Sequence, residues 1–280
     1  MRSSRTTASV LTLGVLVTAI LGSAALPRRA AAWGWDGHRI VGYLAERNLT
    51  PRARAEVERL LGSEHDSLAE ASVWADQVRP DPAYGWSGPH HYINAPDDAT
   101  TFDMARDCPA DRGCVVKAIE EHTATLRAGF ASGARETEAL LFLAHFVGDV
   151  HQPLHAAYGS DRGGNSVDVT FFGEPTNLHR VWDYMILDRD RKVFLWKRGW
   201  KRVARRLAAS PRPAATDELD PLVWAGESFE LARRRVYDLP ADNVLGAAYA
   251  ERGLPVIEER LLQAGLRLAA LLNGLFAPSE

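Results

Sequence analysis

Ala139-Leu-Leu-Phe-Leu-Ala-His145-Phe-Val-Gly-Asp149-Val-His151-Gln-Pro-Leu-His155 is the stretch that decides how this chain folds. Leu140, Leu141, Leu143, Ala144, Phe146 and Val147 make residues 134–150 apolar nearly all round, the pattern of a buried helix. His145 and Asp149 are four apart on it, so both side chains leave one face a turn apart. No basic residue stands nearby in sequence to pair with that carboxylate, and an unpaired buried carboxylate is costly. A metal ion would satisfy the carboxylate and the imidazole together. Pro153 ends the helix, which lets His155 return toward the same place from the following loop.

The spacing recurs in His179-Arg-Val-Trp-Asp183. One such pair is commonly a surface hydrogen bond, whereas two pairs with further histidines form a metal signal. Asp76, in Trp74-Ala-Asp76-Gln-Val-Arg79, and His91, in His90-His91-Tyr92-Ile93-Asn94, read alone as satisfied polar residues. They gain weight from the company they keep.

Outward from this centre the chain is mostly helical. Thr50-Pro51 caps and opens a helix through Leu61, and a second helical pattern runs from Leu68 toward Val78. Residues 80–89 are rich in proline and glycine and predict an irregular loop. Further helices are expected over 115–130, from Leu178 onward, and from about Val256 to Asn273. Val167 to Phe172 is the one strand-like run. With no repeat, low-complexity tract or linker, the expected fold is all-α. It is a single mainly helical domain with long loops and at most a small β-hairpin.

The N-terminus has a different character. Arg2 and Arg5 precede an apolar run from Ala8 to Leu26, and Ala30-Ala31-Ala32 supplies small residues for a peptidase. Residues 1–32 therefore read as a secretory signal cleaved before Trp33, leaving a domain over 33–280 in a secreted or periplasmic protein. An uncleaved anchor is the alternative, since the run approaches the roughly 20 residues that span a bilayer. Threonine, serine and glycine interrupt it, and no second such stretch follows, so no stable membrane association is expected. Removing four leader arginines from a formal charge of −3 leaves −7. That argues against a duplex-binding protein with a broad basic surface. Cys108 and Cys114, the only cysteines, lie close together and predict a local disulfide in an exported protein, with a free-thiol pair or half of a metal site as the alternative.

Cleavage would leave a free amine at Trp33, five residues before His38 in Trp33-Gly-Trp-Asp-Gly-His38. An amine, its carbonyl and a nearby imidazole can chelate a transition metal.

Taken in order, the N-terminal Trp33, Trp-Ala-Asp76, His91-Tyr-Ile-Asn94, the His145–His155 motif, Asp161-Arg-Gly-Gly-Asn165 and Asn177-Leu-His-x-Val-Trp-Asp183 form a set. This set resembles the trizinc single-strand-specific nuclease and 3′-nucleotidase family of fungi, plants and bacteria, which shares its helical fold with zinc-dependent phospholipase C. The likeness extends to Trp224-Ala-Gly-Glu-Ser228 and to Ala264–Asn273. It implies three zinc ions. Asp76, His91, His145 and Asp149 would hold one. The Trp33 amine and carbonyl with His38 would hold a second, bridged to the first by Asp149, and His155, His179 and Asp183 a third. His151 matches a position that is not a ligand, and is expected to orient the ligands. His65, His90 and His122 match no motif.

The resemblance also implies a reaction. Zinc lowers the pKa of bound water from about 15.7 toward 7, and hydrolysis of the P–O3′ bond leaves 5′-phosphates. Asp76 would orient the nucleophile and Arg79 would steady the transition state, against the alternative of a surface arginine in a salt bridge. Tyr92 would stack a base, with Asn94, Gly163 and Asn165 supplying hydrogen bonds. Fungal members carry an acid where Asn94 stands, so their base preference does not transfer. The expected substrates are single-stranded DNA and RNA and 3′-nucleotides, acted on by a monomer.

Two rival readings differ in chemistry. A phospholipase C would use the same metals, but members of that branch carry glutamate where Asp183 stands. A zinc-storing protein would have no need of Arg79 or Asn165. The basic run Arg191-Lys192, Lys197-Arg198, Lys201-Arg202 and Arg205-Arg206, with Trp196 and Trp200, is either a polynucleotide tract or a solvated helix face.

Overall fold

A computed structural model describes residues 33–129, 133–190, 199–214 and 216–278. The leader and its cleavage point, and Arg191, Lys192, Trp196, Lys197 and Arg198 of the basic run, lie outside the described residues.

The chain order begins with α1 (Gly34–Arg47), α2 (Pro51–Leu61), α3 (Leu68–Ala71) and α4 (Trp74–Val78). A 3₁₀ segment (Pro82–His91) leads to β1 (Ile93–Ala95), followed by α5 (Met104–Asp107), α6 (Val115–Ala128) and α7 (Ala134–Val150). A 3₁₀ turn at Pro153–His155 precedes β2 (Ala156–Tyr158), β3 (Asp168–Phe171), β4 (Glu174–Asn177) and α8 (Leu178–Arg180). The chain then runs through a π-helical turn (Val181–Met185), α9 (Ile186–Asp190), α10 (Gly199–Ala208), α11 (Pro221–Leu231), β5 (Val244–Leu245) and α12 (Ala247–Leu275).

The mainly helical expectation holds. Thr50 caps α2 as its sequence predicts, its hydroxyl accepting from the Ala53 amide at 3.2 Å. The pattern from Leu68 to Val78 forms two helices rather than one. The break falls at Ser72, whose hydroxyl donates to His38 O at 2.8 Å and whose carbonyl lies 2.8 Å from His145 Nδ1. The chain there serves the interior instead of continuing the helix. The proline-rich loop is a capped 3₁₀ segment, with Asp81 accepting from Ala83 N at 2.9 Å. The last helix starts nine residues before Val256 and runs through Pro255. Proline removes one amide donor there but does not end the helix.

The expected hairpin is present as antiparallel β3–β4, and β5 adds a parallel third strand. A separate parallel pair, β1–β2, aligns Ile93 with Ala156 and Asn94 with Ala157. It brings the chain after His91 beside the chain after His155. Cys108 and Cys114 are bonded, with Cα atoms 5.1 Å apart.

α1 and α7 cross the core, where α1 packs on α12, α3 and α10. Close approach of α1 to α7 depends on Gly148, where a Cβ would lie 2.7 Å from His38 Nδ1. In α10, Trp200, Val203, Ala204 and Leu207 are buried while Arg205 and Arg206 face outward, and Arg206 pairs with Glu258 at 2.6 Å. The described part of the basic run is thus the outer face of an amphipathic helix.

Behind the end of α7 lies a buried ionic cluster. Arg267 grips Glu227 through two hydrogen bonds of 2.6 and 2.8 Å, and Arg260 reaches the same carboxylate at 2.7 Å. Arg260 also donates to His151 O, Trp224 O and Ser228 Oγ, while Ser228 donates to Val150 O at 2.5 Å. These contacts explain why Trp224–Ser228 and Ala264–Asn273 accompany the histidine motif in the sequence.

Candidate metal centre

The nine residues singled out as ligands come from six parts of the chain and converge on Asp149. From α1, His38 Nε2 lies 3.4 Å from Asp149 Oδ1. From the end of the 3₁₀ segment, His91 Nδ1 lies 2.9 Å from Oδ2. His145, one turn earlier on α7, approaches Oδ2 at 3.2 Å and Asp76 of α4 at 3.8 Å. His155 Nδ1 is 3.2 Å from Oδ1, and its Nε2 is 3.8 Å from Asp183. His179 Nε2 completes the chain of contacts, 3.2 Å from the other Asp183 oxygen. Trp33 touches the same region through its indole, which donates to Gly148 O at 2.7 Å.

Three of the imidazoles are aimed by one device. Nδ1 of His145, His155 and His179 meets a main-chain carbonyl, of Ser72, His91 and Gly163 respectively, at 2.8, 2.8 and 2.6 Å. Each Nε2 is thereby turned toward the carboxylates. Asp183 belongs to the π-helical turn Val181–Met185, a local widening that recurs at functional positions in helices.

Ligand-capable atoms gather in three sets, each within 4.8 Å: His91, His145 and Asp149; His155, His179 and Asp183; and His38, Asp76 and His145. The second is the group expected from the sequence for one ion, and the first holds three of the four residues expected for another, Asp76 falling in the third set. His38, read from the sequence with Trp33, also adjoins Asp76 and His145 and stacks on the His145 ring at 3.8 Å.

Burial and mutual charge distort the titration of these groups. Burial takes His38 down to about 4 and His91 to about 3. It also raises Asp76 to about 6. For His145, burial is outweighed by Asp149 and Asp76, which raise it to about 9. Burial opposes ionisation of Asp149 as well, yet His145 and His155 hold it well below the usual carboxylate range. Seven of the eleven buried side-chain nitrogen and oxygen atoms without a hydrogen-bond partner among the described residues belong to this cluster. They lie on His38, Asp76, His91, Asp149, His155 and Asp183. Buried polar atoms are normally partnered. An imidazole and carboxylate donor set left in this state fits a divalent metal.

The remaining candidates surround the cluster. Arg79 is exposed at the end of α4, and its side chain has no ion pair or hydrogen bond among the described residues, so the salt-bridge alternative has no support. Its charge reaches Asp76 and His91, lowering both. Tyr92 is exposed beside His91, and Asn94 lies on β1. Gly163 has φ +62°, and a Cβ would fall 2.3 Å from Leu154 O. Its amide donates to Tyr158 O and its carbonyl meets His179, which leaves one carbonyl lone pair. The Asn165 amide donates to Arg162 O at 2.9 Å.

Two outcomes differ from the sequence reading. His151 does not orient the ligands: its Nδ1 meets Val147 O at 2.7 Å and its Nε2 meets Arg267 at 2.9 Å, inside the ionic cluster. The residue that does so is its neighbour Gln152, whose amide nitrogen donates to Asp183 Oδ1 at 2.5 Å. Its amide oxygen accepts from Leu154 N, capping the turn that carries His155. Gln152 sits in plain view between two histidines, but its partner is 31 residues away, and spacing gives no hint of it.

Fold and site together define a mainly helical protein with a buried cluster of histidines and aspartates able to hold metal. A family model described as S1/P1 Nuclease matches residues 33–277. Endonuclease 2 of Arabidopsis thaliana is 35% identical over 269 residues, covering 87% of this chain and 90% of its own. Nuclease S1 of Aspergillus oryzae is 30% identical over 271 residues, covering 89% and 93%. Nuclease P1 of Penicillium citrinum reaches 41% over 156 residues, covering 54% and 57%. The chain belongs to the S1/P1 nuclease family. It is a hydrolytic nuclease, and its His/Asp groups are able to hold metal. No described helix is long and apolar enough to cross a membrane.

Proposed function

We propose that this chain is an exported, monomeric, zinc-dependent nuclease that hydrolyses single-stranded DNA and RNA to 5′-phosphate products and removes 3′-phosphates from nucleotides. The observation that carries the proposal is the convergence of seven buried, unpartnered atoms around Asp149. Asp76, His91, His145 and Asp149 would hold one zinc ion; His38, Asp149 and the Trp33 amine and carbonyl a second; His155, His179 and Asp183 a third. The amine exists only after cleavage before Trp33, so export and a complete site belong to one reading. Zinc in these positions supplies Lewis acidity toward phosphate oxygens and lowers the pKa of bound water to about 7.

The chain's own side chains do the rest. Asp76, at the edge of the cluster, accepts a hydrogen bond from the attacking water and fixes its direction. Arg79, exposed and uncommitted, offsets the charge that builds on the phosphate in the transition state. Tyr92 offers a ring to one base, with Asn94, Gly163 and Asn165 at its edges. A base must leave the duplex stack to reach such a ring, which favours unpaired strands.

Digestion of single-stranded DNA by the mature protein, with and without chelator and alongside phosphatidylcholine, tests the proposal. Chelator-sensitive release of 5′-mononucleotides with intact lipid is expected. Lipid cleavage with intact DNA would overturn it.

A further inference from the structure

Among the described residues the well-exposed aromatic side chains are Trp35, Trp86 and Tyr92, at 48, 47 and 39%. Leaving a tryptophan ring in water forgoes hydrophobic stabilisation. All three lie on segments that carry candidate ligands: Trp35 between Trp33 and His38, the others on either side of His91. Trp86 packs edge-on against Phe142 and His90, so part of its ring already has partners. No aromatic ring packs on Trp35 among the described residues.

The position of Trp35 follows from helix geometry. It stands in the first turn of α1, three residues before His38, and side chains at that spacing share a face. The preceding Gly34 abuts the turn that carries Asp183, where a Cβ would meet Tyr184 Cβ at 3.0 Å and Asp183 O at 3.5 Å. Trp35 therefore sits at the rim, on the α1 side. His38 faces one oxygen of Asp149 and His91 faces the other. Trp35, three residues before the first histidine, and Tyr92, directly after the second, are thus exposed rings on the two segments that bring these histidines to Asp149. The Arg39 guanidinium lies 5.9 Å from the Trp35 ring centre and is itself held by Asp36 at 3.2 Å and Glu70 at 2.8 Å. That anchored group backs the ring while leaving it about half exposed.

We propose that Trp35 is a second base-stacking platform, holding a nucleotide of a single strand beyond the one taken by Tyr92. The inference rests on the nuclease reading above. Every base has a flat face, so a bare ring adds affinity for strands without selecting sequence. Substrates with a single base cannot use both rings at once, and longer strands can.

The test compares wild-type holoenzyme with W35A and W35F. Anisotropy with a phosphorothioate oligothymidylate reads strand binding without turnover. kcat/KM is measured on the oligothymidylate and on a 3′-mononucleotide, and zinc content reports an intact site. W35A should weaken strand binding by about 10-fold. Its loss of kcat/KM should be several-fold greater on the strand than on the mononucleotide, and W35F should restore most of both. Equal strand binding by wild type and W35A, or equal losses on the two substrates, would overturn the platform and leave the nuclease intact. A zinc-loaded wild type that cleaves neither substrate would sink the nuclease reading itself.

Discussion

Two buried polar clusters draw on the same stretch, His145 to His155, and they are finished differently. In the ionic cluster, Arg260, Arg267, Glu227, His151 and Ser228 are all hydrogen-bonded within the chain. In the metal centre, comparable side chains are just as deeply buried, yet seven of their atoms have no partner. Residue type does not separate the two, since each holds a histidine and an acid. What separates them is closure: one cluster satisfies its polar side chains within the chain, and the other leaves seven atoms unpartnered among the described residues. His151 shows how fine the division is. It lies two residues from Asp149, and it belongs to the closed side.

Substitutions on the two sides should therefore fail in different currencies. The largest effect is expected for Asp149→Ala, which touches four imidazoles. Metal content should fall and nuclease activity drop by at least about 1,000-fold, with the helical circular-dichroism signal retained. Glu227→Gln should do the opposite. It leaves two buried arginines without their carboxylate, costing about 3–5 kcal/mol in denaturant unfolding while metal per chain stays the same. If E227Q lost metal at full stability, the division between the clusters would be wrong.

Gln152→Ala probes the boundary. Losing a hydrogen bond that orients a ligand typically costs about 10–100-fold in metal affinity. Chelator competition should show that loss in one class of ion only, the one held by Asp183. A uniform loss over all ions would mean that Gln152 supports the fold rather than one position.

The smallest effect concerns pH. Burial, then Arg260 and Arg267, holds His151 well below its ordinary value, and Arg267 and Arg260 overcome burial to hold Glu227 below 4.5. Both groups bind protons more readily in the unfolded chain, so both contributions shrink as pH falls. His151 contributes fully above about 6.5 and its share is lost progressively below that; Glu227 does the same from about 4.5. The acid limb of a stability profile should be shallower below pH 4.5 in E227Q. An identical limb would show that Glu227 titrates normally.

The sequence makes some of this legible and hides the rest for physical reasons. The Thr50-Pro51 cap, the apolar run of α7, the four-residue His/Asp spacings and the close cysteine pair are local signals, and local signals survive folding. α1 has no comparable signal. Its first turn holds two glycines, Gly34 and Gly37, poor helix formers whose cost is offset by packing on distant segments. β1 and β2 are three residues long and exist through a partner more than sixty residues away. The sequence reading starts the last helix at about Val256, just after Pro255, whereas the helix begins at Ala247 and runs through the proline. Asp149 and His155 could be found by spacing. Whether a neighbour such as His151 faces the cluster or the ionic network depends on where its Nε2 finds a partner, and Arg267, far away in sequence, decides that across the fold.

The carbonyl anchors on His145, His155 and His179 have a spectroscopic consequence. Because the main chain fixes each ring, the Nε2 lone pairs keep their directions whichever cation they meet. Cobalt(II) should thus enter without rearranging the imidazoles and turn a colourless centre into one with visible ligand-field bands. The positions could then be followed one at a time by absorption as they fill, making the rigidity of a few histidine rings readable as colour.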